Sequence, residues 1–177
     1  MGGVSGSRCA YCGQWHEGMP MDIAFNGPEP RLIASAEEQG LAVERSSEWC
    51  VIGDTGFIRA VVNVPVVDAP TDGVQRFSWG VWVMVRGKDF RRIILDTWES
   101  GMPHDEPMPA GVMGNEIPGY PNTLFMDVEI DARSATQRPS VYFKNGEHPL
   151  TIEQQRGITM VRVQEINEQF RHRTTSG

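Results

Sequence analysis

Nowhere in the chain do apolar residues run uninterrupted for the ~18 positions that a bilayer-spanning helix requires, and the opening residues, Met1 to Ser7, are small and polar. Neither a membrane anchor nor a secretory leader is expected, and the expected compartment is the cytoplasm. Cysteine is scarce, with three in 177 residues. That odd count does not build the even-numbered disulfide framework of small secreted domains, which again suits a reducing environment. Positive charge is also in deficit: 16 Lys and Arg stand against 23 Asp and Glu, a net charge of −7 and a pI of about 5.1. Such a chain repels phosphate backbones and anionic bilayers, so neither nucleic acid nor a membrane surface is an expected partner. The basic residues that do gather, Arg86, Lys88, Arg91 and Arg92, read as a solvated strand end and helix face. Catalytic signatures are missing too. There is no Gly-x-Ser-x-Gly elbow, phosphate loop, His-Glu-x-x-His helix or dinucleotide fingerprint.

What is present describes a folded chain. Hydrophobic residues make up 40% and charged residues 22%, close to the globular norm and far from disorder-prone compositions. One domain over 1–177 is expected, with an N-terminal knuckle and lead-in over 1–50 and a sheet body over 51–177. With 19 Gly and 12 Pro, strands and loops should dominate over long helices. The breaker-rich stretch from Gly101 to Pro121 is expected to be a long loop, serving as a binding lid or as an irregular cover on a sheet edge.

Period-two alternation predicts the strands. Ile58, Ala60, Val62, Val64 and Val66 share one face of 57–66, and Pro65 limits pairing there on one side. In 77–86, Phe77, Trp79, Val81, Val83 and Val85 share a face while Trp82 and Met84 make the other face apolar, as in a central strand. Leu124, Met126, Val128 and Ile130 alternate with acidic residues over 123–131, and 138–144 forms a shorter strand running into the Asn145-Gly146 turn. These last two strands are expected to pair antiparallel. Helical spacing of Phe90, Ile93, Ile94 and Trp98 behind Asp89, and of Met160, Val163, Ile166 and Phe170 behind Thr159, predicts two capped helices. In the second, Arg162, Gln164, Glu165 and Glu168 form the expected wet face. The expected fold class is α+β: a mainly antiparallel sheet packed by two helices, with a small N-terminal zinc knuckle.

Cys9-Ala10-Tyr11-Cys12-Gly13-Gln14-Trp15-His16 carries the most specific chemistry. Two cysteines separated by two residues on a tight turn can aim both sulfurs at one cation, and the following Gly permits the left-handed backbone such a turn often needs. His16 and Cys50 complete a tetrahedral set, so Cys9, Cys12, His16 and Cys50 are the candidate ligands of one structural zinc, with His104 or His148 as substitutes. A redox pair and plain unligated thiols are the competing readings.

The chain resembles a bacterial family of uncharacterised proteins catalogued as a domain of unknown function. The resemblance rests on Cys9-x-x-Cys12-Gly13-x-x-His16, Trp49-Cys50-Val51-Ile52 with Phe57-Ile58-Arg59, Trp79-Gly80-Val81-Trp82, and His148-Pro149-Leu150 with Gln154, Gln155, Gly157 and Ile158. It spans nearly the whole chain, implies one domain and groups Cys50 with the N-terminal pair, but it implies no activity. Two functional classes follow. One is a zinc-stabilised, non-catalytic binding or regulatory module acting on a protein partner, for example by neutralising a toxin, because an acidic surface speeds capture of a basic partner. The five tryptophans, Trp15, Trp49, Trp79, Trp82 and Trp98, are mostly core, with one or two left to meet a partner. The other class is a zinc- or thiol-dependent hydrolase, with an open metal position, or with Cys50 as nucleophile, His148 as base and Glu147 or Asp127 as orienter.

Overall fold

The computed structural model describes residues 6–8, 13, 15–85, 87–91, 93–94, 100–101, 110–132, 134 and 136–174. In chain order the elements are β1 (Gly6–Arg8), β2 (Trp15–Glu17), β3 (Asp22–Ala24), α1 (Pro30–Glu38), β4 (Val43–Arg45), β5 (Trp49–Ile52), β6 (Thr55–Pro65), β7 (Arg76–Val85), α2 (Gly87–Arg91), β8 (Ala110–Met113), β9 (Asp127–Asp131), β10 (Ser140–Phe143), α3 (Pro149–Arg156) and α4 (Met160–Thr174). The class is α+β, as expected. Four helices lie among the described residues instead of two, because α1 and α3 are short and largely solvated and show no long apolar stripe. Each starts with Pro at its first turn, where the missing N–H costs nothing.

Strands β6 to β10 form a closed five-stranded barrel. The pairs β6–β7, β7–β8, β8–β9 and β9–β10 are antiparallel, while β10 returns to β6 in parallel, Ser140 facing Val61. An odd number of strands joined by reversals must close this way, since the fifth runs in the direction of the first. A second parallel pairing adds β3 to β7, and β5 and β4 extend the sheet from β6. Residues ahead of position 50 therefore build part of the main sheet. The 101–121 region, expected to be loop throughout, contributes β8.

The alternating residues of β6 and β7 point inward to a dry core with Val128, Ile130, Val141 and Leu150, which α4 joins through Val163 and Ile166. A second cluster lies on the outer face of the wall, where Phe57 and Trp82 pack with Ala36 of α1, Cys50 and Ile52. The apolar second face of β7 thus makes it central, covered on both sides. The Thr159 hydroxyl caps α4 by accepting from Arg162 N–H at 3.3 Å. Glu168, placed on the wet face by its spacing, is buried instead and accepts from Gln164 Nε2 at 3.0 Å.

Candidate functional site

The N-terminal hairpin is the first part of the candidate site. β1 and β2 pair antiparallel with Ser7 opposite His16 and Arg8 opposite Trp15. Positions 9 to 14 therefore form the connection between two paired strands. Gly13 sits at φ +68°, in the left-handed region that a side chain disfavours, and Arg8 Nε donates to its carbonyl at 2.8 Å. Cys9 and Cys12 themselves lie outside the described residues, and so does His104. Trp15 on β2 is 63% exposed, while Trp79 and Trp82 are buried and Trp49 packs edge-on against Phe90. Trp98 lies outside the described residues. The sequence signal that sets Trp15 apart is its place beside the Cys9/Cys12 pair, away from any core-periodic segment.

Cys50 sits on β5, with Arg45 and Phe57 as its cross-strand neighbours. It is buried in the apolar cluster of Ala36, Ile52, Phe57 and Trp82. Burial pushes its thiol up from the ordinary value, and the nearby Arg45 charge only partly opposes the shift. A protonated thiol is a weak nucleophile and must lose its proton to bind a metal. Among the described residues no group of three His, Cys, Asp or Glu side chains is placed to hold a metal ion.

The residues considered for hydrolysis are not brought into one array. His148 caps α3: its Nδ1 accepts from Leu150 N–H at 3.2 Å and its Nε2 faces the Pro121 carbonyl at 2.6 Å. Because Nδ1 accepts, the proton resides on Nε2, and both ring nitrogens are occupied in holding backbone. Glu147 and Asp127 are exposed. Among the described residues no hydrogen bond joins Cys50 to His148.

A polar cluster escaped the sequence reading. The Tyr120 hydroxyl donates to the Glu153 carboxylate. Arg162 Nε donates to the same carboxylate at 2.9 Å, and the guanidinium lies 5.4 Å from the centre of the Tyr120 ring. Burial, reinforced by Glu153, holds the Tyr120 hydroxyl far above its ordinary pKa, so it stays a donor and clips the 114–120 segment to α3 and α4. No spacing in the sequence links these three residues. No curated protein and no solved structure matches the chain. The family profile described as "Uncharacterized protein conserved in bacteria (DUF2199)" matches residues 8–158, covering β2, the whole barrel and α3, and the chain belongs to that family.

Proposed function

We propose that the protein is a non-catalytic binding module whose N-terminal hairpin is stapled by one structural zinc through Cys9, Cys12, His16 and Cys50, and that this hairpin presents Trp15 to a protein partner. The observation that carries the reading is the hairpin itself: a cysteine pair falls between two paired strands, is followed by a left-handed Gly13, and is flanked by a tryptophan 63% exposed. Turns of this kind place two thiolates on one cation. Exposed tryptophan is the residue type that most often dominates binding at protein interfaces. The net charge of −7 favours capture of a basic partner, and a regulatory role such as toxin neutralisation fits that charge.

Cys50 is the ligand whose surroundings oppose the role most, since its thiol lies among apolar side chains. Native mass spectrometry of the full chain before and after chelation, on the parent and on Cys9→Ser and Cys50→Ser, tests the metal. One zinc per chain, lost in both variants, is the expected result. Zinc retained in Cys50→Ser removes that residue from the set, and no zinc in the parent overturns the staple. For the partner, a stoichiometric protein recovered with the parent chain and lost with Trp15→Ala is expected, and equal recovery with both sinks the assignment to Trp15.

A further inference from the structure

The barrel closes between β10 and β6 through a single rung, Ser140 facing Val61, with Val61 N–H donating to the Pro139 carbonyl at 2.8 Å. The next rung of a parallel ladder would run from Asn63 N–H to the Val141 carbonyl and from Phe143 N–H to the Asn63 carbonyl. Neither bond forms. The Gln154 carboxamide of α3 takes both β10 groups instead: Nε2 donates to the Val141 carbonyl at 2.6 Å, and Oε1 accepts from Phe143 N–H at 3.2 Å.

The β6 side of that gap stays open. Arg59 and Val61 direct their N–H groups away from β7, to Glu48 and Pro139, whereas Val66 donates to Gln75 on the β7 side. Backbone groups alternate along a strand, so Asn63 turns its N–H and carbonyl the same way as Arg59 and Val61, into the gap. The β6–β10 register ends at Val61 and does not reach them. The next carbonyl on this edge, that of Pro65, is already taken by Ile158 N–H at 2.8 Å. One residue of strand edge is left bare, bounded at both ends.

A concave site of about 630 Å³ opens beside it, lined by Asn63, Pro65, Val74, Arg76, Tyr142 and Gln154 among others, within the range of ligand sites. Val74 and Tyr142 offer exposed apolar surface. Among the described residues Arg76 is the one cation of the lining and makes no ion pair. Bare strand edge recognises peptide backbone, flanking apolar surface recognises side chains, and an unpaired guanidinium recognises carboxylate.

We propose that the β6–β10 seam binds a short extended peptide carrying a carboxylate. One peptide residue adds to β6 by exchanging N–H and carbonyl bonds with Asn63, its neighbours lie on Val74 and Tyr142, and the carboxylate meets Arg76. The site is separate from the hairpin and stands whether or not zinc is bound there.

The test pans phage-displayed short random peptides against the full chain, then titrates the enriched sequence as a synthetic peptide while amide hydrogen exchange is followed by NMR. In the free chain the Asn63 amide should exchange faster than those of Val62 and Val64, whose N–H groups face β7. An acidic residue at a fixed position in the enriched set, together with slowed Asn63 exchange on binding, is the expected result. Arg76→Ala should weaken binding by roughly tenfold or more, the scale of one charge-assisted hydrogen bond, and Arg76→Lys should recover part of it. Asn63→Pro removes the gap-facing donor and leaves the β6–β7 ladder whole, and should abolish binding. If that variant loses its circular dichroism signal, Asn63 exchange in the parent decides. The proposal is overturned if no peptide is enriched, if the enriched set lacks an acidic residue, or if binding leaves Asn63 exchange unchanged and Arg76→Ala as tight as the parent.

Discussion

Asn115 offers the sharpest test of how this fold is held. Its side chain is 1% exposed; Oδ1 accepts from Trp82 N–H at 2.7 Å and Nδ2 donates to the Gly27 carbonyl at 2.9 Å. The preceding Gly114 N–H donates to the Trp82 carbonyl at 2.7 Å, so the carboxamide continues the β7–β8 ladder where the backbone has turned away. Asn115→Ala strands the Trp82 N–H in a dry wall, a cost of about 1–3 kcal/mol. It also frees the Gly27 carbonyl, which is less enclosed and can regain water, so that loss adds no more than about 1 kcal/mol. A total of about 1–4 kcal/mol is expected, a large share of the stability of a domain this size. Asn115→Asp keeps the acceptor for Trp82 but sets a carboxylate oxygen against the Gly27 carbonyl, and should be similarly damaging at neutral pH, with partial recovery as acid protonates it. Urea unfolding of parent and variants, read by tryptophan fluorescence and extrapolated linearly, gives the comparison. An alanine variant within about 1 kcal/mol of the parent at unchanged m-value would refute the claim that this amide substitutes for a strand.

Three further expectations concern other parts of the fold. Hydrogen bonds from Arg138, at 2.8 Å through both Nε and Nη2, lower the Glu48 pKa; the pair's contribution is therefore present above the ordinary carboxylate range and lost as pH falls through the lowered value. Arg138→Ala should remove that acid-side dependence and cost no more than about 1 kcal/mol, since both partners are partly exposed, as pH-resolved urea unfolding would show. Tyr120 behaves with the opposite sign: its pKa is raised by burial and by Glu153, so its contribution is whole below the usual tyrosine range and fades as pH climbs above it. Tyr120→Phe should flatten the alkaline limb of the stability profile. A methyl group at Gly111 would meet the Met84 carbonyl oxygen and side-chain carbons of Ile130 and Val83, all at 2.8 Å, so Gly111→Ala should cost about 1–3 kcal/mol through overpacking, measured as a drop in thermal midpoint.

The parts of the fold visible in the sequence are those where one face is buried along a regular element. β6 and β7 follow their alternating residues closely, the paired 123–131 and 138–144 segments contain β9 and β10, and α4 begins behind its Thr159 cap. The expected strand at 123 starts only at Asp127, because Asn122 and Phe125 adopt positive φ and turn the chain before the ladder begins. Strand β8 hides between glycines because Gly111 is needed for close approach to β7, and this removes the alternation that would announce it. Helix α3 has few buried residues, chiefly Leu150 and Thr151, so its periodicity is faint. In the candidate site the expected knuckle rests on Cys9 and Cys12, which lie outside the described residues, and the β1–β2 pairing on either side of them had no periodic signal in the sequence. Burial of Cys50 in the α1-side cluster was not legible either, since pairing of β5 with β6 decides which way it faces.

Amide surrogates are illegible for a deeper reason. Asn115 and Gln154 each do the work of a peptide group in a neighbouring strand, and that role depends on where distant chain segments diverge, with no trace in local periodicity. The two sit at different joints of the barrel: Asn115 where β8 leaves β7, Gln154 where β10 parts from β6 after one rung. A five-strand meander must end with a parallel pair, and here that pair is only one rung long, so closure falls to α3 and to the Val66–Ile158 bridge that follows it. The family match ends at residue 158, at that bridge. The core does not end there: Val163 and Ile166 are buried in it, and Phe170 packs on Trp79 with ring centres 6.4 Å apart. The helix beyond the matched region therefore completes the apolar interior whose wall the matched region builds, and a chain cut after Ile158 should expose Trp79 and Tyr120 and lose cooperative unfolding.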